Sequence, residues 1–130
     1  MTKNTLLLLL PLLHACALPT QLGNSQAQGA GHGELRITLM EPHGMEVELD
    51  GRQYRGEWRS ELCLNPECRG VYRNVDRLHR RHIRKGQASL VADDGKRLDC
   101  EWVSHLPELE GICRDGSDRS YRLTGKSDQP

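Results

Sequence analysis

Residues Asp50 to Trp58 read DGRQYRGEW and residues Asp94 to Trp102 read DGKRLDCEW, with Asp, Gly, Glu and Trp recurring in register. An Asp-Gly pair flanked by alternating apolar residues is a strong hairpin signal, because glycine accepts the positive φ that a tight turn requires. A weaker third copy stands at Asp115-Gly116, followed by Tyr121 and Leu123. These repeats predict three hairpins, each entering a D-G turn and returning through an aromatic or aliphatic stripe. In the second, Leu98, Cys100 and Trp102 fall on one face. The chain has two Trp, three Tyr and no Phe, so Trp58 and Trp102 are the expected large core residues. Their other possible use is as a platform for a stacked ligand.

Working outward, ELRITLM (34–40) places Leu35, Ile37 and Leu39 on one face and Arg36 and Thr38 on the other, which is the period of a half-buried strand. Pro42 to Gly44 breaks that run, and MEVELD (45–50) alternates again through Met45, Val47 and Leu49. The fold class expected is all-β: a small antiparallel barrel or sandwich of six to eight short strands. The best helical candidate is Arg73 to Lys85, where Val75, Leu78 and His82 or Ile83 form a weak stripe.

At 130 residues the chain has room for one small domain. Hydrophobic residues make up 36% and charged residues 28%, a composition that excludes wholesale disorder and a polytopic helical membrane protein. The expected divisions are a signal peptide over 1–15, a modified N-terminus and flexible tether over 16–33, a single β-rich domain over 34–125, and a disordered tail over 126–130. The tether is expected because 17–33 is rich in Gln, Gly, Ala and Ser.

The leader carries Lys3, a Leu-rich run from Leu6 to Leu13, then His14, Ala15 and Cys16. That run is far shorter than the ~20 residues needed to span a bilayer, so it reads as the apolar region of a secretory signal. Leu13, Ala15 and Cys16 resemble the lipobox of bacterial prolipoproteins, although His14 stands where that family prefers a small or apolar residue. The resemblance implies a diacylglyceryl group on the Cys16 thiol, cleavage before Cys16 and acylation of the new amino terminus. It also implies an outer-membrane destination facing the periplasm, because Ala17 stands where an inner-membrane retention signal has Asp. The alternative is ordinary secretion, with cleavage after Ala17 and a soluble periplasmic product.

With Cys16 so assigned, four cysteines remain as two local pairs, Cys63 with Cys68 and Cys100 with Cys113. In an oxidising compartment two local disulfides are expected, although four cysteines allow three pairings. Cys63, Cys68, His79 and His82 also form C-x4-C-x10-H-x2-H, which superficially resembles a zinc-finger ligand set but is short at both gaps. No metal or other cofactor is expected.

The equal totals of 18 basic and 18 acidic residues conceal a dense local charge. Between Arg69 and Lys85 lie seven basic residues and one acid. The expected anionic-partner residues are Arg77, Arg80, Arg81, Arg84 and Lys85. In an exported protein their partner is anionic lipid, lipopolysaccharide, a peptidoglycan carboxylate or an acidic protein rather than nucleic acid. A solvated segment that neutralises the acidic strands of its own domain is the alternative. G-x-S-x-G, H-E-x-x-H and phosphate-binding glycine loops are absent from the sequence. Glu108 and Glu110 read as solvated loop acids, so no catalytic residues and no enzymatic activity are expected.

The domain is loosely similar to small, uncharacterised proteobacterial β-rich lipoproteins through Gly111, Cys113, Tyr121 and Leu123, a resemblance that implies no activity. Lysozyme-inhibitor lipoproteins are also small disulfide-bonded β-barrels, but Gly116, Ser117 and Tyr121 do not reproduce the spacing of their S-G-x-x-Y loop. Two expectations follow: an envelope lipoprotein with a structural or interaction role, or a tethered inhibitor or ligand-binding barrel.

Overall fold

A computed structural model describes residues 16–23, 30–71, 82–105 and 108–126, without the side chains of 16 and 69–71. Eight strands follow one another: β1 (Cys16–Gly23), β2 (Gly31–Ile37), β3 (His43–Leu49), β4 (Arg52–Leu62), β5 (Arg84–Ala92), β6 (Arg97–His105), β7 (Glu108–Asp115) and β8 (Ser120–Lys126). A six-residue helix, α1 (Pro66–Val71), lies between β4 and β5. Each strand pairs antiparallel with the next, and β8 returns to β1 through Thr20 opposite Gly125 and Leu22 opposite Leu123. The result is a closed up-and-down barrel, the all-β fold expected. Closure gives every strand a neighbour on both sides, with the β1–β8 seam running from Thr20 to Gly23.

The interior follows from the two-residue period. Leu18 and Leu22 from β1, Met45, Val47 and Leu49 from β3, and Leu90, Leu98, Trp102 and Leu123 from later strands are buried together. Cys100 and Cys113 are directly opposed on β6 and β7, with Cα atoms 4.0 Å apart, and their disulfide is buried in this core. A smaller cluster outside the barrel joins the Cys63–Cys68 disulfide to Ile83, with Val103 of β6 packed against it. The Cys63 amide also donates to the Ile83 carbonyl at 2.9 Å. The base of the 63–83 excursion is thereby pinned to the wall.

The D-G turns differ from one another. Asp50 and Gly51 have φ of 52° and 75°, and Leu49 pairs with Arg52, which makes a two-residue type I′ hairpin. At the second turn Ala92 and Lys96 bracket three residues, and Gly95 takes the positive φ of 84°. The third turn has the same three-residue form between Asp115 and Arg119, but its left-handed residue is Asp118 at φ 60°, not Gly116. The echo is therefore offset: Asp94-Gly95 corresponds in position to Ser117-Asp118.

Three boundaries also differ from the sequence expectation. The barrel does not begin at Glu34, because Cys16–Gly23 and Gly31–Gly33 are strand, with Leu18, Thr20 and Leu22 buried. The reason is a two-residue period at 18, 20 and 22, hidden among polar neighbours. Leu39 is not on the buried face of β2. The strand ends at Ile37, and the Thr38 hydroxyl donates to the Met40 carbonyl in a local loop. The helix expected over 73–85 lies mostly outside the described residues, and its last two positions, Arg84 and Lys85, are strand paired with Leu62 and Glu61. The tail beyond Lys126 also lies outside the described residues.

Candidate functional site at one end of the barrel

Alternation of strand direction sorts the connections between two ends. One end carries the turns at Asp50-Gly51, Asp93–Gly95 and Gly116–Asp118. The other carries the start of β1 at Cys16, the loop from Thr38 to Pro42, the end of β4 at Leu62, the start of β5 at Arg84 and Lys126.

At this second end the inward side chains change from aliphatic to aromatic and polar. Ile37, His43, Trp58, Ser60, Arg84 and Ser104 surround a mouth of about 270 Å³, with Trp102 and Leu109 below. Trp58 is only partly buried. Its ring stacks on His43 with centroids 4.7 Å apart and meets Trp102 edge-on at 6.0 Å, and its indole N–H donates to the Arg36 carbonyl at 3.2 Å. Arg84 donates to the Ser60 hydroxyl at 2.8 Å and to the Ser60 carbonyl at 2.9 Å, which fixes its guanidinium beside the mouth. The Thr38 hydroxyl lies 3.2 Å from His43 Nδ1. Chemically the mouth offers the Trp58 and His43 rings, the Arg84 guanidinium and the Glu41 carboxyl.

Larger depressions occur elsewhere. An open trough of about 920 Å³ crosses the outer face of β4 to β7 between charged side chains such as Arg55, Glu57, Asp99 and Arg114. A groove of about 570 Å³ beside α1 sets Lys85 among Glu67, Glu101 and Glu110. At the far end Arg52 donates to Asp94 at 2.7 Å, tying the first D-G turn to the second.

Of the sequence-derived candidates, Cys63, Cys68, Cys100 and Cys113 form the two expected disulfides. The Cys63–Cys68 bond uses both thiols of the zinc-finger-like set, while His79 lies outside the described residues. Among the described residues, no cluster of three or more His, Cys, Asp or Glu is arranged to hold a metal ion. Cys16 is the first residue of β1, paired with Ile37. In the basic segment Arg77, Arg80 and Arg81 lie outside the described residues, Arg84 is engaged with Ser60, and Lys85 is exposed. Glu108 and Glu110 are not loop acids. They stand on β7, with Glu108 3.9 Å from Lys126 and Glu110 2.8 Å from Arg122 across to β8.

The sequence reading missed Ser60, His43 and Arg84 as parts of one mouth. The available signal was the inward period continuing past Trp58 to Ser60 and back from Ala88 through Gly86 to Arg84. No protein family, curated protein or solved structure matches the chain.

Proposed function

We propose that this protein is a lipid-anchored component of the bacterial outer membrane, facing the periplasm. It acts by binding rather than catalysis, using the basic stretch Arg69 to Lys85 to contact an anionic envelope surface or an acidic partner. The observation that supports this most is positional. Both strands flanking the basic excursion meet the end of the barrel where Cys16 begins β1, so an acyl group on Cys16 would hold the excursion next to the membrane. Juxtamembrane basic residues contribute about 1 kcal/mol each at an anionic surface.

Intact mass tests the anchor: the mature chain should start at Cys16 with acyl modification, and an unmodified start at Leu18 would remove it. Replacing Arg77, Arg80, Arg81 and Lys85 by Gln, while leaving Arg84 on Ser60, should abolish salt-sensitive binding to anionic vesicles or peptidoglycan. Unchanged binding would assign the segment a purely internal role.

The mouth favours a second reading, a tethered ligand-binding barrel. Its volume of about 270 Å³ lies at the lower limit for small-molecule sites, about 300 Å³, so the ligand class is a short amphiphile with an anionic head for Arg84. Hexanoate should change the Trp58 emission of the parent and not that of Arg84→Gln. No change in the parent excludes this class.

A further inference from the structure

Leu39, Met40, Leu62, Leu64 and Val91 are the large hydrophobic side chains left exposed among the described residues, with 101%, 79%, 47%, 62% and 47% of their surface accessible. Four of these five gather at one end. Leu39 and Met40 form the tip of the β2–β3 loop, two and three residues beyond Ile37, the partner of Cys16. Leu62 ends β4 opposite Arg84, and Leu64 follows Cys63. Isolated exposed apolar residues are ordinary. An apolar rim confined to one end of a small barrel, beside basic side chains, marks an interaction surface.

We propose that this rim is a membrane-seating surface, with Leu39 and Met40 inserted among the acyl chains of the phospholipid bilayer while Leu62 and Leu64 rest at its interface. The occupant follows from two observations. Cys16, the residue that the anchoring reading acylates, begins β1 at this end, so the bilayer that takes its acyl chains lies against this rim. Arg84 stands opposite Leu62 and Lys85 opposite Glu61 across the β4–β5 pair, and Glu41 follows Met40, which places charges of both signs at the depth of the zwitterionic headgroups when the leucines reach the interface. The apolar tip and charged flank have the layering of a bilayer surface.

The inference deepens the anchoring reading, since it takes from it which membrane is involved. It adds that the lipid does not hold the barrel on a loose tether. Cys16 is already within β1, so an acylated barrel stands on its rim with the three D-G turns directed away.

The test uses the full chain, produced with its own leader in a diderm bacterial host and purified from membranes. Leu39→Trp and Val91→Trp are placed separately in phosphatidylcholine vesicles with brominated acyl chains, at about 0.5 M salt to screen the basic segment. The indole introduced at position 39 should emit at shorter wavelength than in water and lose intensity to bromine beyond the background of Trp58 and Trp102. The one at position 91, at the far end, should do neither. Water-like emission at position 39 overturns the proposal. A blue shift without bromine quenching also overturns it, because a protein neighbour then covers the rim. Intact mass is read on the same sample, so an unmodified Cys16 removes the anchor reading while the quenching still decides this one. Leu39→Asp with Met40→Asp is the second variant. The acyl anchor keeps this variant on the vesicles, so Leu64→Trp is added as reporter: the double change should return its emission to that of water with an unchanged far-ultraviolet spectrum, and an unchanged blue shift counts against insertion.

Discussion

Gly86 on β5 is the cross-strand partner of Trp102 on β6, and the Trp102 indole occupies the space that a side chain at Gly86 would need. A Cβ built there would overlap Cε2 and Nε1 of the ring. Gly111, the partner of Trp102 on β7, is similarly closed by the Trp102 backbone. Gly86→Ala is therefore expected to destabilise the barrel by about 1–3 kcal/mol, the usual cost of overpacking. Urea midpoints should show the loss, and Trp102→Leu combined with it should cost less than the sum of the two single changes. Gly44→Ala is the control, since its nearest neighbour is the Arg36 side chain at 4.0 Å.

The two disulfides should separate by what they hold. Replacing Cys100 and Cys113 together by Ala removes a buried cross-link of sequence separation 13, with a loss of about 3 kcal/mol. Replacing Cys63 and Cys68 together should cost about 2 kcal/mol in the same chain-entropy terms. Its main effect should be local: faster amide exchange at Cys63, whose N–H is bonded to the Ile83 carbonyl, with protection in β6 and β7 retained.

Thr20 is buried in β1 and its Oγ1 has no hydrogen-bond partner among the described residues. A hydroxyl stranded in an apolar interior costs about 1–3 kcal/mol. Thr20→Val, nearly identical in shape, should raise the urea midpoint, and a lowered midpoint would reveal a partner for the hydroxyl.

The Arg52 guanidinium, through its hydrogen bond, and the Lys96 backbone N–H hold the Asp94 carboxyl below the usual carboxylate range. Because the folded value is depressed, the stability from this contact is present above about pH 4, the unfolded value. It is lost as pH falls through the lower folded value. Asp94→Asn should therefore melt slightly below the parent at pH 7 and converge with it once pH has fallen through that lower folded value. The difference should also shrink with added salt, as for other exposed ion pairs.

The turns give a graded series. Gly95→Ala places a Cβ at positive φ and should cost about 1 kcal/mol or more. Gly116→Ala, where space is open and φ is not positive, should stay within about 0.5 kcal/mol. Asp118→Gly should match or exceed the parent in melting temperature, because it relieves the left-handed residue at that turn.

Much of the barrel was legible because its hairpins are short and its inward residues alternate, as in Met45-Val47-Leu49 and Leu98-Cys100-Trp102. β1 was not legible. Its inward set of Leu18, Thr20 and Leu22 is interleaved with Pro and Gln, and its pairing with β8 spans nearly the whole chain. Leu39 was misassigned because period alone cannot tell where a strand ends, whereas Thr38 turning onto Met40 does. The third D-G pair misled because Asp115 serves as the acceptor for the Ser117 and Arg119 amides, not as the first residue of a tight turn. The mouth required closure of the barrel to bring His43, Trp58 and Arg84 to one place.

The seam between β1 and β8 has a consequence for how the protein is made. Of the eight strands β1 emerges from the ribosome first and β8 last, so one of the two hydrogen-bonding edges of β1 waits for the strand made after all the others. A chain arrested before Ser120 has every hairpin from β2 to β7 but two open sheet edges, and the strand that starts at Cys16 is one of them. Closure of the sheet thus depends on the last strand, and a copy interrupted before it keeps two unpaired edges of the kind that invites pairing with another chain.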